Sequence, residues 1–414
     1  MTAAVVGRRT PERQRRQTSR VLFLTAAVIA LVPVDFVQVT ATWRYVTLAA
    51  LVVGVIAALW ELSHADTVVV WPALGFGALV LIFNQFMNFN PIGFLTLLAP
   101  VVIGAGLAVA VRNPLAMLVG LSVLLAVSMG VELAMHQHLF SQFFGAENYT
   151  AYSRDIFRAR GLIGQAVPAG MIAVGLAAAS WMLSASAPTN RTSIRWVIAC
   201  AAAVSVLTSG TRSAIVCGGA LALAIGAAGI YRNHRSRLAI GHRVAWAGPL
   251  VLAVGIVLTA AYWTTLSNQR VFSFDLLAGS ASLENRNYAS LVFEDWSEGC
   301  SGTCVVFGSG ARSLLTALGN GLGFHGFTTV DNVFMSLLWD FGILMLVGLA
   351  VLVMLAIRAL LNADSANNRA GAILILSIVL SGLFYDSLYI RPTLLLFGIG
   401  LGLLGITTGK TVKQ

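Results

Sequence analysis

Read for hydrophobicity alone, the chain is a succession of apolar runs of sixteen to thirty residues, separated by short polar breaks. A helix needs about 20 apolar residues to cross the roughly 30 Å hydrocarbon core of a bilayer. The runs predict spans at 21–36, 43–62, 68–87, 92–111, 114–135, 161–183, 194–209, 212–231, 243–264, 331–360, 369–387 and 391–409. The stretch 194–231 is too long for one span. The polar break Thr208-Ser209-Gly210-Thr211-Arg212-Ser213 divides it into two helices joined by a tight turn. The expected fold is therefore an all-α polytopic membrane protein of about twelve transmembrane helices.

Two breaks are more than turns. One runs from about 136 to 160; the other, 265–330, lies before the tenth span. A connection that long is functional or disordered as a rule. Its aromatic residues and the amphipathic piece 283–297 predict a folded, partly helical loop. The chain then divides into a basic tail (1–20), nine spans (21–264), the large loop (265–330), three spans (331–409) and a short tail (410–414). The two halves show no internal repeat of the kind transporters often carry.

Composition adds little until charge is placed along the chain. Only 10% of residues are charged and 58% are hydrophobic, with mean hydropathy +0.84. The net charge of +10 does not describe a nucleic-acid footprint. The basic residues sit in short breaks and, apart from Lys410 and Lys413, are all arginine. With the N-terminus inside, the inner segments carry roughly twice as many Lys and Arg as the outer ones, which predicts two cytoplasmic termini. The N-terminal arginines Arg8 to Arg20 are followed by no small-residue cleavage site. They read as an anchor before a retained helix.

Several outer arginines run against that bias, and ionisable groups near membrane depth point to function because burying them is costly. Arg160 enters a helix in Arg158-Ala159-Arg160-Gly161, Arg212 stands in the break between two spans, and Arg391 follows Asp386 at the last outer turn. A guanidinium offers planar, bidentate hydrogen bonding to phosphate oxygens. Their bland readings are snorkelling to headgroups, or for Arg391 a surface pair with Asp386. The large loop adds Arg286, His325 and Asp331. His325 and Asp331 are candidate proton acceptors for a sugar hydroxyl, though Asp331 is also placed to cap the helix that follows. Cys300 and Cys304, four apart in the same loop, form either a disulfide or two free thiols; a zinc site needs about four ligands. Phosphate-loop, zinc-protease and serine-hydrolase signatures are missing, as is a DxD-like pair for a metal-bound nucleotide sugar.

Four segments resemble the O-antigen ligase and polysaccharide polymerase family of bacterial envelope glycosyltransferases. They are Arg158 to Gln165, Leu207 to Ala214, Asn285-Arg286 to Gly310, and Val330-Asp331-Asn332 to Gly342. The resemblance covers roughly 150–345 and the layout of spans. It implies the fold of C-type membrane glycosyltransferases and a bacterial plasma-membrane enzyme. Its site would face outward and need no metal, nucleotide sugar or cofactor. The donor it implies is an undecaprenyl-diphosphate-linked glycan, with a second glycan as acceptor. Arg160, Arg212, Arg286 and Arg391 would hold the diphosphate, and His325 or Asp331 would take the proton. The ligase branch commonly has His-Asn where this chain has Asp331-Asn332, which favours polymerase over ligase. Partners of a polymerase would include a chain-length regulator or other envelope proteins. The readings from other classes are a transporter of lipid-linked sugar and a membrane scaffold.

Overall fold

The computed structural model describes residues 11–31, 41–65, 67–87, 90–139, 157–185, 191–236, 293–294, 296–300, 302–318, 330–363 and 365–405. The expected span 243–264, and most of the loop 265–330, lie outside them. The described helices are α1 (Pro11–Leu31), α2 (Ala41–Ser63), α3 (Val70–Met87), α4 (Pro91–Ala110), α5 (Pro114–Met135), α6 (Ala166–Ser184), α7 (Arg191–Ser209), α8 (Arg212–Ser236), α9 (Gly302–Phe307), α10 (Ser313–Ala317), α11 (Val333–Asn362), α12 (Ala366–Ser381) and α13 (Arg391–Gly405), with short 3₁₀ turns at Gly161–Ile163 and Ser387–Tyr389. Seven of these (α2, α4, α5, α6, α7, α8 and α11) are long and apolar enough to cross a membrane, and no strand occurs among the described residues. That is the architecture of a polytopic membrane protein.

Local chemistry sets the helix starts. Asn90 and Asn113 each precede a proline and accept a main-chain N–H of the first turn, from Gly93 at 2.8 Å and Ala116 at 3.1 Å. Proline at the first helical position loses no hydrogen bond there. Asn332 caps α11 in the same way, accepting from Phe334 and Met335. The cap is therefore Asn332 and not Asp331, which instead adopts a left-handed conformation (φ 52°).

The boundaries depart from the hydropathy reading where polar groups are satisfied by the protein. The helix α1 begins at Pro11, so part of the basic tail is helical. The span expected at 161–183 becomes a 3₁₀ turn and then α6 from Ala166. The span expected at 369–387 stops being helical after Ser381, and 382–390 is irregular. Within α11, Gly342 leaves helical geometry (φ 70°, ψ −174°).

Helices in lipid gain nothing from excluding water from one another, so they associate through close packing of small residues. Here α4 and α6 are the inner helices, with 72% and 89% of their apolar windows buried, against 22% for α11. The helix α13 is buried along its length. It runs parallel to α4 at backbone contact: a Cβ on Gly398 would strike the Val101 carbonyl, and one on Gly402 would lie 2.6 Å from the Ala105 oxygen. Gly400, between them, faces α12 at Gly371. Large apolar side chains such as Phe23, Ile56, Phe86, Leu223 and Met354 face outward.

Replacing Gly398 by Ile should force α13 off α4. Overpacking of this kind costs about 1–3 kcal/mol or more. A fall in the unfolding temperature of the detergent-solubilised protein, with Gly120→Ile as an unaffected control facing open space, is the expected result.

Candidate functional site

One end of the bundle gathers the polar residues. Because α4 and α13 run parallel, Asn90 and Arg391 lie at the same end. Val333, at the start of α11, donates to the Gly382 carbonyl just past the end of α12, at 2.9 Å. Cys217, early in α8, reaches the Ser377 carbonyl near the end of α12 at 4.0 Å, so Arg212 also starts its helix there.

The first cluster is built around Glu132, in the last turn of α5 and 1% exposed. Its Oε2 accepts the main-chain N–H of Arg160 at 2.7 Å and of Gly161 at 2.9 Å. His138 Nδ1 lies 3.6 Å from the same oxygen, and the His138 ring stacks on Phe157 with centroids 4.6 Å apart. The neighbouring segment is tied to the end of α7: Ala159 N donates to Thr208 O, and Arg158 Nε to Ser209 O, both at 3.0 Å. Gly161 (φ 52°) presses on α5, where an added Cβ would lie 2.6 Å from Met129 Cγ. The turn carrying Arg160 is thus fixed on both sides, with Arg160 and Arg212 each half-buried.

The second cluster is built around Asp340, in α11 and fully buried. Oδ2 accepts Arg312 N at 2.8 Å and the Tyr389 hydroxyl at 2.7 Å. Oδ1 accepts Leu314 N and Ser313 Oγ, both at 3.0 Å. The Asp340 carbonyl accepts Asn84 Nδ2 at 2.6 Å and Gly310 N at 3.1 Å. Gly308 and Gly342 permit this approach: a Cβ on either would collide with backbone of the other segment. Trp296 stacks on Trp339 and donates to Ser309 Oγ at 2.7 Å. Cys300 and Cys304 form a disulfide in this docked part of the loop.

The segment 385–390, which includes the 3₁₀ turn Ser387–Tyr389, is buried throughout. Non-helical backbone buried in this way must find its hydrogen-bond partners within the protein. Asp386 accepts the Ser336 hydroxyl at 2.7 Å and Val330 N at 3.4 Å. Burial pushes its carboxyl up to about 7; the Ser336 hydrogen bond opposes the rise, and the nearby charges of Asp331 and Asp340 add to it. Arg391, 4% exposed, is the first residue of α13.

Of the residues singled out from sequence, Arg160, Arg212, Asp331 and Arg391 come to this end. The turn Gly161–Ile163 packs against α13, which joins the two clusters. Arg286 and His325 lie outside the described residues. The sequence reading missed Glu132, Asp340 and Asn84. The signal for Glu132 and Asp340 was an acid inside an apolar span, and for Asn84 the polar pair Asn84-Gln85 in another. Asp340, with four hydrogen bonds to its carboxylate, is a structural acceptor. Among the described residues no three His, Cys, Asp or Glu side chains gather to hold a metal ion.

Glu132→Ala strands the amides of Arg160 and Gly161. A buried unsatisfied donor costs about 1–3 kcal/mol, and thermal unfolding in detergent should show the loss. Asp386 gives a pH dependence. Its carboxyl is raised from an ordinary value of about 3.9 to about 7 in the folded chain. The folded state therefore holds the proton more tightly than the unfolded one. This contribution is whole below pH ~4 and is lost as pH rises towards 7. Asp386→Asn should flatten the decline in unfolding temperature across that window; an unchanged slope would show that another group sets it.

Compared with known proteins, the chain matches no family model and no curated protein, so the functional reading rests on its residues and their geometry.

Proposed function

We propose that the chain is a glycosyltransferase that polymerises glycans carried on undecaprenyl diphosphate, on the extracytoplasmic side of a bacterial plasma membrane. One observation carries the reading. Arg212 and Arg391 occupy the first positions of α8 and α13 at the same end of the bundle. A cation there opposes the helix dipole, at a cost of about 0.3–1 kcal/mol each. An anion reverses the sign, since helix N-termini and guanidinium groups both bind phosphate oxygens. Arg160 adds a third guanidinium on a turn fixed by Glu132. A lipid-linked diphosphate presents its charge at the bilayer surface.

In the proposed reaction the acceptor hydroxyl oxygen forms a bond to the anomeric carbon of the donor sugar. The bond from that carbon to the diphosphate oxygen breaks, and its electron pair leaves with undecaprenyl diphosphate. The hydroxyl proton passes to a base, for which Asp331 and His325 are the candidates. The barrier is charge growing on the leaving diphosphate, and the arginines act on it electrostatically. The replacement of His-Asn by Asp331-Asn332 supports polymerisation over ligation.

Removing one such donor costs about 10²–10³ in rate. In a strain lacking the chain, wild type should restore a ladder of glycan lengths, and Arg212→Ala at equal membrane levels should not. Full-length glycan accumulating on the carrier would instead indicate a ligase, and glycan unaffected by deletion would overturn the assignment.

A further inference from the structure

The loop delivers another arginine to the same end. Arg312 stands at φ 62°, a conformation that side-chain-bearing residues adopt at a cost and that recurs at functional sites. Among the described residues only His136, Arg312 and Asp331 share this property without being glycine. His136 is the C-cap of α5, where a left-handed residue is common. Arg312 has no such role, since it precedes the five-residue α10 without a capping hydrogen bond from its side chain.

Its position is set from several sides. Its amide and the Tyr389 hydroxyl share one oxygen of Asp340. Tyr389 is two residues before Arg391. The backbone behind Arg312 is fastened to α11 by Ser309 N to Trp339 O at 2.8 Å and by Gly310 N to Asp340 O. The conformation is thus held against its strain by a network whose centre is a fully buried carboxylate. The side chain so placed is half-buried beside the buried turn that carries Arg391.

We infer that Arg312 is a further diphosphate-binding residue, carried by the docked loop to the Arg391 end of the bundle, with Asp340 as the residue that positions it. The inference rests on the proposed function. It adds that the donor site is shared between the bundle and the loop, so that loop docking completes it. A further guanidinium at the Arg391 end of the bundle would favour two linked phosphates over one.

The test uses the full chain in detergent with geranylgeranyl diphosphate and geranylgeranyl monophosphate as probes, their binding measured by titration. Wild type should prefer the diphosphate. Arg312→Ala should weaken diphosphate binding about tenfold, the effect of losing one charge-assisted contact, and narrow the preference over monophosphate. A merely structural defect would weaken both probes alike and overturn the inference. Arg312→Lys should keep most of the diphosphate affinity, and Arg358→Ala, on the exposed far part of α11, all of it. If Arg312→Ala fails to fold, Arg312→Gln carries the same comparison. Wild-type affinity in Arg312→Ala, with binding lost in Arg212→Ala, overturns the role of Arg312 and leaves the proposed function standing. If wild type binds neither probe, the proposed function falls first and this inference with it.

Discussion

A carboxylate inside a membrane protein has little water to turn to, and leaving it unsatisfied is expensive. Asp340 meets that demand with donors from three parts of the chain. The loop segment 312–314, the turn at Tyr389 and, through the residue's own carbonyl, Asn84 of α3 all converge on it. The break at Gly342 and the close approach of Gly308 follow from the same contact, because α9 must reach the backbone of α11 for these bonds to form. Much of the polar end of the bundle is arranged around this residue.

Glu132 repeats the device. It sits at the end of α5 where Asp340 sits early in α11, yet it too accepts a main-chain N–H from an arginine and from a residue close behind it. In both clusters an arginine-bearing turn is held by its backbone. Position is then fixed by hydrogen bonds to a buried acid, whatever the side chain goes on to contact. This separates the task of building the site from the task of binding in it, and each acid links segments that hydropathy treats as unrelated.

That also explains what could be read from the sequence. The limits of α5 match its apolar run to the residue, and α2 and α4 differ by a residue or two, because burial in lipid depends on composition alone. The end of α12 was misplaced by six residues: Tyr385, Asp386 and Ser387 follow an apolar run and are as buried as a helix would be, yet their backbone bonds are those of turns. The acids were passed over for a related reason. The partners of Glu132 lie 28 and 29 residues on, and Asn84 is 256 residues from Asp340. A pattern of neighbours carries no record of such pairs. The arginines stood out because charge at a span boundary is a local anomaly.

The bond between Tyr389 and Asp340 also has a bearing on how the protein is made. Ribosomes deliver α3 and Asn84 early, the loop and Asp340 much later, and Tyr389 only with the last described helix. Until that final segment is threaded into the bilayer, the buried acid lacks one of its donors and the loop one of its anchors. Maturation of this end is therefore a post-insertion event, and a chain stalled before α13 would expose an unsatisfied acid to the quality-control machinery of the membrane.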